Sequence, residues 1–125
     1  MGACKLKLSK EQFIEQYIYY ITEAQKAIEK DDYRTNNKYV TILMKEIKKV
    51  ETEKYFIEAL NELMDNWNIK VASAAAAESL RHNCNIDKAI KTLEDISSQK
   101  NSGIIGFSAG IALKTWKEKG ADGIK

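Results

Sequence analysis

The stretch that decides the fold is NIKVASAAAAESL, residues 68–80. Asn68 is a good N-terminal helix cap, and the alanine run after Val71 places small residues all round a helix. Small side chains let neighbouring helices approach closely on several sides. The stretch therefore predicts a central, buried helix against which the rest of the chain packs.

Apolar residues spaced by three and four predict five further helices outside this stretch. The third helix is expected over residues 52–65, directly before the central one. Gly106 and Gly110 are four residues apart and predict that the last helix crosses another helix at close distance. Taken helix by helix, the residues expected to face the core are Phe13, Tyr17, Ile21, Ala24 and Ile28; Val40, Leu43, Ile47 and Val50; Phe56, Leu60, Leu63 and Trp67; Ala89, Ile90, Leu93 and Ile96; and Phe107, Ile111, Leu113 and Trp116.

Polar residues mark where these helices begin and end. Ser9 followed by Gln12 at the third position predicts a capping box at the first helix. Asp32 recaps the chain for the second helix, and Asn85 is expected to cap the fifth. Gly120 stands where a helix-ending glycine belongs.

The chain has no proline and six glycines in 125 residues, which favours helices throughout. We therefore predict an all-α fold of about six helices, forming a single domain over residues 1–125. The helices group as three successive antiparallel pairs, which can stack into a short superhelix. A closed helical bundle is the alternative, and sequence periodicity does not separate the two.

Composition favours a folded protein of the cytoplasm. Hydrophobic residues make up 44% and charged residues 30% of the chain, as in ordinary globular proteins. Two cysteines, Cys4 and Cys84, are too few for a disulfide framework. No apolar run approaches the roughly 20 residues of a membrane span, and the start has no signal-peptide core. Leu6 stands where a myristoylation signal requires Ser or Thr.

Residues 60–120 resemble a known repeat family. The stretch 68–80 is similar to the second helix of a HEAT or armadillo-like repeat, and residues 87–94 resemble the first helix of the next repeat. The tail from Gly103 to Gly120 is similar to the closing segment of a small bacterial HEAT-like family, members of which occur as immunity proteins of contact-dependent and polymorphic toxin systems. Lys70 precedes Val71, whereas the common repeat places the basic residue after Val. The resemblance implies stacked helix pairs and an immunity role.

No pattern of catalytic or metal-binding residues is present. His82 and Cys84 stand two residues apart, which on a helix points their side chains about 200° from each other. A structural cysteine and a histidine near a helix C-terminus, in contact with Glu78, explain the pair without catalysis. The chain has no CxxC, no second histidine and no phosphate-binding glycine loop. We expect no enzyme activity, no cofactor and no metal.

Acidic residues supply the first candidate for a partner surface. Residues 51–100 carry nine acidic and six basic residues, between two basic ends. A solvated outer helix face explains the pattern equally, whereas complementary charge would steer a basic partner. The acidic band is predicted to comprise Glu51, Glu58, Glu62 and Asp65, expected within about 60° of one another on one helix, together with Asp87, Glu94 and Asp95.

Tyr19 is the second candidate, because it falls on a polar helix face and tyrosine is enriched at interface hot spots. Single exposed aromatics also occur without a binding role. The lysines at 45, 48, 49 and 54 are interpreted as a solvated face, since no aromatic residues interleave with them. We expect no direct contact with nucleic acid and none with a membrane.

The leading hypothesis is an immunity-type protein that binds a cognate toxin C-terminal domain, a nuclease, and covers its active or substrate-binding surface. Such nucleases are commonly basic because they approach phosphates. The alternative is a HEAT-like scaffold or adaptor in a regulatory or enzyme complex, since both roles need only a shaped surface. The oligomeric state stays open.

Overall fold

Helices make up 80% of the computed structural model, which describes residues 8–123. Within that range there is no β-strand, so the prediction of an all-α fold of six helices is confirmed. The helices are α1 (Lys10–Glu29), α2 (Tyr33–Val50), α3 (Phe56–Leu63), α4 (Ile69–Arg81), α5 (Ile86–Ser98) and α6 (Gly103–Lys119), and a 3-10 helix (Gly120–Gly123) follows α6.

The chain divides into two compact units, Met1–Ala59 and Leu60–Lys125, with the division falling inside α3. In the first unit α1 and α2 pack side by side. The Phe13 ring centroid lies 5.8 Å from that of Tyr17 and 6.0 Å from that of Phe56. Burial of such aromatic and aliphatic side chains is the main stabilising term in a unit of this size. The single-domain organisation and the stacking into a superhelix stay predictions.

The second unit is built around α4, whose buried residues include Val71, Ala75, Ala76 and Leu80. α4 contacts α5, α6 and the 3-10 helix. Within this unit the prediction of a central buried helix is confirmed. A Cβ added at Gly106 would collide with the Ser102 side chain and lie 3.2 Å from the Ile96 carbonyl oxygen, so α5 and α6 do approach closely at this glycine.

The predicted helix starts are largely confirmed. Ser9 and Gln12 form the complete capping box, Asp32 accepts the Thr35 amide at 3.1 Å, and the Asn68 side chain accepts the Lys70 amide at 2.9 Å. These bonds satisfy amides that have no partner inside the helix. Asn85 does precede α5, but it adopts a left-handed conformation and its side chain makes no capping bond.

Five residues expected to face the core are exposed instead: Ile28, Val40, Trp67, Phe107 and Ile111. Trp67 lies in the connection after α3, so its side chain does not continue the helical stripe. In α6 the buried side carries Gly106, Ala109 and Leu113, which places Phe107 and Ile111 on the far side. The close crossing with α5 explains this choice, because small residues rather than bulky ones fit it.

α3 is shorter than predicted. Residues 51–55 form turns rather than the first turn of the helix, with backbone bonds such as Glu53 N to Val50 O at 2.9 Å. The Tyr55 hydroxyl donates to the Leu8 carbonyl oxygen at 2.5 Å in the same region. No helix within residues 8–123 is long and apolar enough to cross a membrane.

Candidate partner-binding surfaces

The acidic residues predicted to share one helical stripe do not share it. Glu51 is the C-terminal cap of α2, and Asp65 follows the end of α3 in a turn. Only Glu58 and Glu62 lie on α3 itself, one turn apart. The prediction of a four-residue stripe within 60° is therefore wrong, because the turns at 51–55 and after Leu63 break the helical phase.

Several acidic residues have basic neighbours. The Lys10 ammonium lies 2.6 Å from a Glu58 carboxylate oxygen, and this bond lowers the pKa of Glu58 below its usual value. Lys91 lies 3.7 Å from Asp95. Exposed pairs of this kind contribute little to stability, because water and salt screen them. They also reduce the local negative charge that a basic partner would meet.

Lys88 of α5 makes two contacts with the chain around the end of α3. Its ammonium donates to the Asp65 carboxylate at 2.8 Å and to the Asn61 carbonyl oxygen at 3.0 Å. A cation is favourable at this position because the last carbonyls of a helix have no internal partner. Lys88 therefore partly neutralises the Asp65 carboxylate within the second unit.

Asp87 and Glu94 are the exposed acidic residues of α5 that form no ion pair among the described residues. Asp87 lies in the first turn of α5, where a negative charge is favourable. Of the predicted acidic band, these two side chains keep the least compensated charge in the second unit.

An open groove of about 330 Å³ lies between α5 and the chain from the end of α3 into α4. Met64, Ile69 and Ile96 contribute its apolar surface, and Asp65 and Asp95 contribute carboxylates. Lys88 and Lys91 also line it. The groove thus brings two of the predicted acidic residues together, alongside their basic partners.

The largest uncovered apolar residues of the second unit are on α6 and directly before α4. Ile104 is 80% exposed, Phe107 71%, Ile111 49% and Trp67 88%. We call Ile104, Phe107 and Ile111 the α6 apolar face, since their spacing of three and four residues places them within about 60° of one another. Trp67 lies two residues before the start of α4, and Ile104 lies in the first turn of α6.

Tyr19 is exposed, as predicted, but it does not stand alone. Its ring centroid lies 5.4 Å from that of Tyr20 and 6.1 Å from that of Tyr39 of α2, in edge-to-face geometry. We call these three residues the tyrosine cluster. Hydrogen bonding with Tyr39 raises the pKa of the Tyr19 phenol.

α2 carries an outer face that is strongly basic. We define the α2 basic face as Arg34, Lys38, Lys45, Lys48 and Lys49, all exposed. At 100° per residue they fall within an arc of about 100°. The Lys38 ammonium lies 5.8 Å from the centre of the Tyr39 ring, so this face adjoins the tyrosine cluster.

His82 and Cys84 do not form an activated pair. The His82 Nδ1 atom lies 3.2 Å from the Glu78 carboxylate and 3.0 Å from the Glu78 carbonyl oxygen. This is the contact between His82 and Glu78 that the sequence predicts. Glu78 also pairs with Arg81. Burial raises the pKa of the Cys84 thiol, which disfavours the nucleophilic thiolate.

Within residues 8–123 no group of three or more His, Cys, Asp and Glu side chains is arranged to hold a metal ion. Cys4 and Leu6, on which part of the compartment prediction depends, lie outside the described residues.

Sequence reasoning missed two surfaces. Periodicity places Phe107 and Ile111 of the α6 apolar face in the core, although the small-residue side of α6 is a signal in the sequence for the opposite orientation. The sequence analysis considers only the lysines at 45, 48, 49 and 54. The spacing of Arg34, Lys38 and Lys45 by four and seven residues extends the basic face over the whole of α2.

No family model, no curated protein and no solved structure matches the chain. The resemblance of residues 60–120 to a HEAT-like immunity family consequently stays a hypothesis.

Proposed function

We propose that the chain is an immunity-type protein, which binds the C-terminal domain of a cognate nuclease toxin in the cytoplasm and covers its active or substrate-binding surface. In this proposal the chain makes and breaks no covalent bond. The link to a toxin comes from the resemblance of residues 60–120. The observation that carries the binding role is the exposure of the α6 apolar face and Trp67.

These exposed residues suit a binding surface because the fold does not use them. The opposite side of α6, with Gly106, Ala109 and Leu113, supplies the packing within the unit. Aromatic and large aliphatic side chains at the centre of an interface carry most of its binding energy. Phe107 and Trp67 are therefore the expected anchors.

Acidic residues of the same unit supply selectivity for a basic partner. Asp87 and Glu94 keep uncompensated charge on α5, whereas Asp65 and Asp95 are already paired. A nuclease surface is basic because it must approach phosphates. Charges at the rim of an interface mainly raise the rate of association.

The decisive experiment co-expresses the chain with the C-terminal domain of the toxin encoded directly upstream and scores growth and co-purification. The proposal expects rescue of growth and a stable complex. Failure of both overturns the immunity role, and a complex with a regulatory or metabolic protein instead supports the adaptor alternative.

Variants then test which surface binds. Phe107→Ser and Trp67→Ala should each weaken the complex by about tenfold or more, as hot-spot residues do. Met44→Ser, which removes another exposed apolar residue, from α2, is the matched control and should leave affinity unchanged. Equal losses in all three variants would refute the assignment to α6.

Glu94→Lys tests the electrostatic part of the proposal. This change should slow association at low salt and leave dissociation nearly unchanged. Glu58→Lys should have a smaller effect, because Lys10 already compensates that carboxylate. Association rates measured at two salt concentrations separate the outcomes, and unchanged rates for Glu94→Lys would remove the electrostatic part of the proposal.

A further inference from the structure

The first unit carries a surface that the proposed toxin complex does not use. The α2 basic face has five cations in an 18-residue helix that contains one acidic residue, Glu46. Within residues 8–123 only Lys49 of these five forms an ion pair, with Glu46 at 3.6 Å. The charge of Arg34 also acts on the Asp32 carboxylate. Lys38, Lys45 and Lys48 have no carboxylate partner there, which leaves their charge available to an external anion.

The five cations form a line along the length of α2 rather than a cluster at one position. From Arg34 to Lys49 the helix rises about 22 Å at 1.5 Å per residue. Like charges three and four residues apart destabilise an isolated helix by a few tenths of a kcal/mol per pair. A ligand with phosphates repeated along its length would match this line and relieve the repulsion.

Exposed aromatic rings adjoin the line of charge. Lys38 reaches over the Tyr39 ring at 5.8 Å, and Tyr39 contacts Tyr19, whose side chain is about half exposed. Proteins that bind single-stranded nucleic acid without strong sequence preference combine a basic track with aromatic rings on which bases stack. A duplex keeps its bases stacked internally and does not offer them to such rings.

The other anionic ligands fit less well. An acidic protein surface would be attracted by the charge but would not need the tyrosine cluster. An anionic membrane would use an uncovered apolar side on the same helix. α2 does expose Val40 and Met44, but a membrane, like an acidic protein, gives the tyrosine cluster no stacking role, whereas the bases of a single strand do.

We propose that the α2 basic face and the adjoining tyrosine cluster bind single-stranded nucleic acid, through its phosphates and stacked bases respectively. This inference does not depend on the proposed toxin complex. It revises the expectation of no nucleic-acid contact, which considered the lysines at 45, 48, 49 and 54 without the cations at 34 and 38 or the tyrosines beside them.

The test measures binding of the full chain to a fluorescently labelled 20-nucleotide polyuridine and polythymidine by anisotropy. With four to five phosphates contacted, log affinity should fall with log salt with a slope of about −3. Lys45→Gln combined with Lys48→Gln should reduce the slope by about 1.4. The matched control, Lys114→Gln with Lys117→Gln on α6, removes the same charge and should leave the slope unchanged.

The tyrosine arm separates stacking from charge. Tyr19→Ala should weaken binding about fivefold or more without changing the salt slope, since base stacking on an aromatic ring contributes about 1–3 kcal/mol per base. Tyr19→Phe keeps the ring and should bind as the parent chain does.

Three results would overturn the inference. The first is the absence of binding at low salt. The second is equal or tighter binding of a 20-residue polyglutamate or of anionic lipid vesicles, which would assign the face to an acidic protein or a membrane. The third is a preference for duplex together with no effect of Tyr19→Ala.

Discussion

The outer face of α2 and the outer face of α6 are both uncovered, yet they differ in chemistry and in how well sequence predicts them. α2 has a buried apolar side opposite a charged one, so its orientation follows from periodicity, with Val40 the one expected core residue of the helix that is exposed. α6 is apolar around much of its circumference, and the choice of buried side depends on which side fits α5. The comparison teaches that a helix is oriented reliably from sequence only when its two sides differ in polarity.

The largest expected effect contrasts a buried residue with an exposed one in the second unit. Leu93→Ala should lower the free energy of unfolding by about 2–5 kcal/mol, because Leu93 is almost fully buried. Phe107→Ala should change it by less than about 0.5 kcal/mol, since its ring lies in solvent. Urea unfolding followed by circular dichroism measures both. A large loss for Phe107→Ala would mean that the α6 apolar face is structural.

The crossing of α5 and α6 gives the next largest effect. Gly106→Ala should cost about 1–3 kcal/mol, because the added methyl group meets the Ser102 side chain and the Ile96 carbonyl. Gly110→Ala is the matched control: its Cβ would lie 3.7 Å from that of Ser97, so the gain in helix propensity, up to about 1 kcal/mol, should prevail. Thermal unfolding of the two variants in opposite directions would confirm the crossing, and equal shifts would contradict it.

The start of α2 should show a smaller, pH-dependent effect. The Thr35 hydrogen bonds lower the pKa of Asp32, so its capping contribution is present above the ordinary carboxyl pKa and is lost as pH falls through the lower folded value. Asp32→Ala should lower the free energy of unfolding at neutral pH, because the Thr35 amide loses its capping partner.

The control for this prediction is Asp32→Asn, which keeps a capping oxygen but removes the titration. The difference in stability between the parent chain and Asp32→Asn should shrink between neutral and acidic pH. A difference independent of pH would contradict the capping role of the Asp32 carboxylate.

The smallest expected effect concerns the α2 basic face itself. Lys45→Gln should raise the free energy of unfolding by a few tenths of a kcal/mol at low salt, because it removes repulsion with Lys48 and Lys49. Lys49→Gln should bring no such gain, since it also removes the pair with Glu46. Added salt should abolish the difference. A loss of stability for Lys45→Gln would show that the face is not self-repulsive.

Local signals predicted the fold better than they predicted the surfaces. The capping box at Ser9 and the cap at Asn68 depend on a few neighbouring residues, and the structure confirms both. The acidic stripe required an unbroken helix from Glu51 to Asp65, and the turns at 51–55 were not signalled by glycine or proline. The ion pair of Lys10 with Glu58 joins residues 48 positions apart, which no local pattern reveals.

Apolar side chains in irregular segments were the hardest to place. Trp67 follows the spacing of the α3 core residues, so periodicity assigned it to the core. Two residues earlier the helix has already ended in a turn, and the indole points to solvent. A large apolar residue beside Asn66 and Asn68 was a mixed signal, and the polar neighbours were the better guide.

The exposure of Trp67 also gives the protein an optical reporter. The second tryptophan, Trp116, is half-buried, so the two indoles differ in their access to water. In a Trp116→Phe background, the emission of Trp67 alone would be strongly quenched by iodide and would shift to shorter wavelength when a ligand covers it. Any partner that covers Trp67 can therefore be titrated without a label.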